Sequence, residues 1–141
     1  MSADRRQSAR SAPGSRPIGG RTQVLGVIGD PVEHTLSPAL QAAAVAATGL
    51  DYVYVPFRVG AEQLEAAIAG MRALRIRGLN VTVPHKPSVA RLVDELAPEA
   101  RAIGAVNTVA NLDGRLVGHN TDAFGVTQSL RFDLELPTLP P

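Results

Sequence analysis

Four short runs of aliphatic and β-branched residues recur along the chain, at Val24–Ile28, Tyr52–Phe57, Gly78–Val83 and Ala105–Leu112. The segments between them carry helical apolar spacing or helix-terminal residues. Parallel strands need a crossover between them, usually a helix, so this alternation predicts an α/β fold with a mainly parallel sheet. The first run stops at Gly29-Asp30-Pro31, a turn signal. Ser37-Pro38 opens a helix, with Ser expected at the N-cap and Pro in the first turn. That helix runs through a string of alanines to Gly49, a C-terminal cap. From Ala61 to about Arg75, Leu64, Ile68 and Met71 share one helical face. Further helices are expected from Pro87 to about Leu96 and, shorter, over Pro98 to Ile103. Asp113-Gly114 is a two-residue turn, after which Leu116-Val117 continues as a hairpin partner. Asn120 to Asp122 lead into a last helix that reaches about Leu130. The expected architecture is a three-layer domain with one late antiparallel hairpin.

The 141 residues suffice for one domain with its own core. Aromatics are 4%, so that core has to be aliphatic. The formal charge of +1 gives no general attraction to nucleic acid or to an anionic membrane. The charge is unevenly placed: Arg5, Arg6, Arg10, Arg16 and Arg21 face a single acid, Asp4, within residues 1–21. Residues 1–22 are therefore expected to be a disordered Arg- and Ser-rich leader, residues 23–131 the folded domain, and residues 132–141, with Pro137, Pro140 and Pro141, a tail. Without cysteine there is no disulfide, thiolate ligand or thiol nucleophile. No apolar stretch approaches the roughly 20 residues that span a bilayer, and a cytoplasmic domain without membrane or nucleic-acid partners is expected. His34, His85 and His119 lack a metal-binding spacing and are expected on the surface or in loops.

Polar residues that could carry chemistry cluster where strands end. Thr35 and Ser37 sit at a helix start, where free backbone N–H groups favour an anion; ordinary capping by Ser37 accounts for the pattern as well. On a strand, Asn80 and Thr82 share a face. Asn is disfavoured in strands, so Asn80 needs partners, which a polyol or a neighbouring loop could supply. Lys86 is the only lysine beside thirteen arginines. Arg binds anions but does not release a proton near neutrality, whereas a lysine in suitable surroundings does. Proton transfer and a plain exposed loop cation are the two readings of Lys86. Asn107 suits either a polar lining or a turn. Asp122 suits either an N-cap or a carboxylate beside Lys86. The pattern G-x-G-x-x-G occurs nowhere in the chain.

In order, these pieces resemble the N-terminal, substrate-binding domain of shikimate dehydrogenases, from about Val24 to Leu130. The matching segments are Val27-Ile28-Gly29-Asp30-Pro31, His34-Thr35-Leu36-Ser37-Pro38, Gly78-Leu79-Asn80-Val81-Thr82-Val83-Pro84-His85-Lys86, Gly104-Ala105-Val106-Asn107-Thr108 and Gly118-His119-Asn120-Thr121-Asp122. The resemblance implies interconversion of shikimate and 3-dehydroshikimate with NADP(H), in the shikimate pathway of aromatic amino acid biosynthesis. It implies Lys86 and Asp122 as the catalytic dyad, both also touching substrate. Thr35 and Ser37 would clamp the carboxylate, and Asn80, Thr82 and Asn107 would bind ring hydroxyls. The first clamp position is commonly Ser in the family and is Thr here, which bears on the preference between shikimate and quinate. Family members continue into a Rossmann domain for the cofactor; here no glycine follows Gly125, and that domain is expected to be absent. The expectation is thus a truncated enzyme with little activity alone, for which a separate cofactor-binding half is a candidate partner; the alternatives are a non-enzymatic shikimate-binding module and a fragment of a quinate/shikimate dehydrogenase.

Overall fold

The computed structural model describes residues 17–133. Its elements are β1 (Gln23–Gly29), α1 (Ser37–Thr48), β2 (Tyr52–Arg58), a 3-10 turn (Ala61–Gln63) leading into α2 (Leu64–Ala73), β3 (Gly78–Val81), α3 (Lys86–Val89), β4 (Glu95–Leu96), α4 (Pro98–Ile103), β5 (Thr108–Leu112), β6 (Arg115–His119) and α5 (Asp122–Asp133). The six strands form one sheet in the order β2-β1-β3-β5-β6-β4. β1 pairs in parallel with β2 and β3, and β4 with β6, while β5 is antiparallel to both β3 and β6. Five strands thus share one direction, and only β5 runs against them.

The core is aliphatic, as the scarcity of aromatics requires. Leu64, Ile68 and Met71 of α2 are buried on one helical face. They join Ile28, Leu79, Val81 and Val109 from one face of the sheet. α1 lies against β2 and buries no residue completely. The β5–β6 hairpin closes through Asp113 (φ 54°) and Gly114 (φ 99°). Two successive positive φ angles match the right-handed strand twist, and the Asp-Gly pair tolerates them.

Several expectations need correction. The helix expected over 87–96 is only the four residues of α3, and Glu95–Leu96 form an edge strand instead. Val89, Leu92, Val93 and Leu96 do have helical spacing and do reach the core. Pairing with β6 prevails there: Asp94 N donates to Leu116 O at 3.0 Å and Ala97 N to Gly118 O at 2.9 Å. The N-cap of α1 is Leu36 rather than Ser37, and no side chain caps that helix. β3 stops at Val81, and β5 begins at Thr108 rather than at residue 105. Of the stretch assigned to the leader, residues 1–16 lie outside the described residues, whereas Thr22 N bonds Gly19 O at 3.1 Å in a turn and its hydroxyl donates to Asp51 at 2.8 Å. Of the tail, Phe132 and Asp133 belong to α5, and residues 134–141 lie outside the described residues.

Candidate active site

The reversed direction of β5 collects the polar residues. Its start lies beside the carboxyl ends of β3 and β6, so Asn107, Lys86 and Asp122 arrive at one edge of the sheet. Ligands of open α/β sheets sit beyond that edge. The backbone at Lys86 is held on both sides. Val106 N donates to Lys86 O at 2.9 Å. The preceding His85 is 2% exposed, and its Nε2 lies 2.6 Å from Val59 O, so Nε2 carries the proton. His85 was expected on the surface or in a loop; it does stand in the loop before α3, but it is buried there against a carbonyl that needs a donor. Asp122 is held by Asn120, also buried: Asn120 Nδ2 donates to Ala105 O at 3.0 Å, and its Oδ1 accepts Asp122 N at 3.0 Å.

Lys86 Nζ donates to Asp122 Oδ2 at 2.7 Å. Asn107 Nδ2 donates to Asp122 Oδ1 at 2.7 Å and to Thr121 Oγ1 at 2.9 Å. Asn107 Oδ1 accepts Thr108 Oγ1 at 3.0 Å and Thr121 N at 3.1 Å. Thr108 Oγ1 accepts Asn80 Nδ2 at 3.2 Å, and Asn80 Oδ1 accepts Tyr54 Oη at 2.7 Å. Both carboxylate oxygens of Asp122 are therefore engaged by side chains of other elements. Of the two readings of Asp122, the carboxylate beside Lys86 is the one this geometry supports.

Thr35 Oγ1 accepts Ser37 N at 3.2 Å, which turns the loop into α1. Arg58 ties that loop back through Asp30 at 2.8 Å and Glu33 at 3.2 Å. Thr82 sits just past β3, its N donating to Ile28 O at 3.0 Å. The Thr82 hydroxyl has no hydrogen bond among the described residues. In the sequence Thr108, Asn120 and Thr121 were visible only as neighbours of Asn107 and Asp122, without a role of their own, and Tyr54 was not singled out. Tyr54 reads as an ordinary strand former, and each of the four has at least one partner 14 or more positions away.

The Lys86 ammonium holds the Asp122 carboxyl below its ordinary value; burial opposes this, and the Asn107 amide adds to it. Burial pushes the Tyr54 phenol up, opposed by the Ser37 hydroxyl beside it. An ion pair fixed beside amide and hydroxyl groups can bind a polyhydroxylated anion and exchange a proton with one of its hydroxyls.

The described residues do not fit a dinucleotide. The nearest approach to a glycine-rich junction is Gly26 and Gly29 at the end of β1. The Phe57 ring and Val55 carbonyl fill the space beside Gly26, and Thr82 and the Val83 carbonyl fill that beside Gly29. The Asp30 carboxylate that follows would repel a pyrophosphate. Among the described residues no cluster of three metal-ligating side chains occurs, and no helix is long and apolar enough to cross a membrane. A cavity of about 750 Å³ lies at the opposite end of the sheet, lined by Arg21, Arg72, Arg75, Arg77 and Asp113 among others, away from Lys86.

Residues 27–109 match the family described as the shikimate dehydrogenase substrate binding domain. The shikimate dehydrogenase (NADP(+)) of Geobacter metallireducens is 54% identical over 117 residues, which cover 83% of this chain and 41% of that protein. A crystal structure of shikimate 5-dehydrogenase from Listeria monocytogenes in complex with shikimate and NAD is 44% identical, with a TM-score of 0.79, over 83% of this chain and 40% of that one. Shikimate dehydrogenase from Aquifex aeolicus superposes with a TM-score of 0.81 at 43% identity, over 86% of this chain and 45% of that one. The chain therefore spans less than half the length of these relatives, and the match lies in their substrate-binding part.

Proposed function

The chain belongs to the shikimate dehydrogenase substrate binding domain family, and on that premise we propose that it binds shikimate or 3-dehydroshikimate at the edge defined by Thr35, Ser37, Asn80, Thr82, Lys86, Asn107 and Asp122. The observation that carries this reading is the Lys86–Asp122 contact of 2.7 Å within a network that runs on through Asn107, Thr108 and Asn80 to Tyr54. Thr35 and Ser37 receive the substrate carboxylate. Asn80, Thr82 and Asn107 receive ring hydroxyls. Lys86, oriented by Asp122, exchanges the proton of the hydroxyl that is oxidised.

The relatives' cofactor is NADP, as their names state. The hydride step needs a dinucleotide site outside the residues described above, in further sequence or in a separate chain. Exposed apolar side chains at Leu36, Leu40, Phe124 and Val126 support a protein surface covering α1 and α5. The 141 residues alone are then a cytoplasmic binding and proton-transfer module with little or no turnover.

Backbone NMR of the labelled chain during titration with shikimate tests the site: shifts are expected to centre on Thr35, Ser37, Asn80, Lys86, Asn107 and Asp122. Shifts confined to the arginine-lined cavity would sink the assignment. NADP⁺-dependent oxidation of shikimate at ordinary enzymatic rates by the purified chain would refute the claim of a module without turnover.

A further inference from the structure

The hydrogen bonds between Asp122 and Tyr54 run in one direction. A carboxylate only accepts, so Asn107 presents its amide nitrogen to Asp122 and keeps its oxygen for Thr108. With its proton given to Asn107, the Thr108 hydroxyl accepts from the Asn80 nitrogen, and the Asn80 oxygen then takes the Tyr54 proton. We infer that Tyr54 is a positioning residue for substrate recognition: its phenol fixes the orientation of the Asn80 amide on the hydroxyl-binding side of the site.

The contact is tight enough to decide the orientation. Tyr54 Oη to Asn80 Oδ1 is 2.7 Å, the shorter of the two bonds the Asn80 amide makes, against 3.2 Å to Thr108. Without the phenol proton the amide keeps only the longer bond. It can then invert, presenting an oxygen where a ligand hydroxyl expects N–H. Tyr54 stands on β2, two strands from β3 in the sheet order, and this bond ties the outer strand to the site.

This inference rests on the shikimate-binding reading above. Its test is calorimetric titration of the chain with shikimate and with cyclohexenecarboxylate, which keeps the carboxylate and lacks the hydroxyls. Wild type, Tyr54→Phe, Asn80→Ala and the double variant are compared. Loss of one hydrogen bond predicts that Tyr54→Phe weakens shikimate roughly three- to tenfold. The double variant is expected to bind shikimate no worse than Asn80→Ala alone, and cyclohexenecarboxylate to bind wild type and Tyr54→Phe alike. A purely structural tyrosine would instead weaken both ligands and add its loss to that of Asn80→Ala. That result, or unchanged shikimate binding by Tyr54→Phe, overturns the inference while leaving the shikimate reading intact. A folded wild-type chain that binds no shikimate overturns both.

Discussion

Lys86 and Asp122 stand 36 residues apart in sequence and meet with Nζ 2.7 Å from Oδ2. Their side chains are 31% and 51% exposed. Exposed pairs of this kind stabilise a fold by about 0–1 kcal/mol. Stability alone is thus a poor account of why His85, Val106, Asn107 and Asn120 converge to hold them. The proposed proton exchange at Lys86, with Asp122 orienting it, would account for the convergence.

The pair has a consequence in acid. Lys86, with Asn107, holds the Asp122 carboxyl below its ordinary value. A depressed carboxyl contributes stability that is fully present above the unfolded value, about 3.9, and is lost as pH falls through the lower folded value. Solvent exposure keeps that contribution small. Carbon NMR titration of Asp122 is expected to give a midpoint below the ordinary aspartate value, moving upward in Lys86→Met. A midpoint that ignores this substitution would mean that the ion pair does not persist in solution.

Asn111 provides a control far from the site. It is 4% exposed; its amide donates to Met71 O at 3.2 Å and Ile76 O at 3.1 Å, and its oxygen accepts Gly114 N at 2.7 Å. Asn111→Ala removes all three bonds, leaving Met71 O only its bond from Ile76 N, and is expected to cost about 2–3 kcal/mol in denaturant unfolding. Shikimate affinity of the folded variant should be unchanged. A stability loss below about 0.5 kcal/mol would show that water replaces the amide at no cost.

His85 links stability to the site. His85→Phe keeps a ring but leaves Val59 O without its side-chain donor. About 1–2 kcal/mol of destabilisation is expected, together with weaker shikimate binding, because the residue that follows is Lys86. Full affinity in the folded variant would mean that Val106 alone suffices to fix the Lys86 backbone.

The strand–helix alternation, the α2 face and the Asp113-Gly114 turn were legible in sequence, because each is local: apolar period and turn chemistry specify them within a few residues. Lys86, Asn107 and Asp122 were visible as polar residues at strand ends. Their meeting depends on the reversal of β5, a tertiary fact. β4 was hidden because Val89, Leu92, Val93 and Leu96 repeat with a helical period, although pairing with β6 takes over from Asp94 to Ala97. Tyr54 and Asn120 were hidden for the same reason: each matters through a bond to a residue at least 15 positions away. Ser37-Pro38 promised a side-chain cap, yet Leu36 holds that position.

Calorimetric titration of the chain and of Lys86→Met with shikimate tests the central claim most directly. The account predicts saturable binding at one site by the wild-type chain, weakened about tenfold or more when the charged donor is removed. A folded wild-type chain that gives no saturable heat, or a Lys86→Met variant that binds as tightly as wild type, would contradict it.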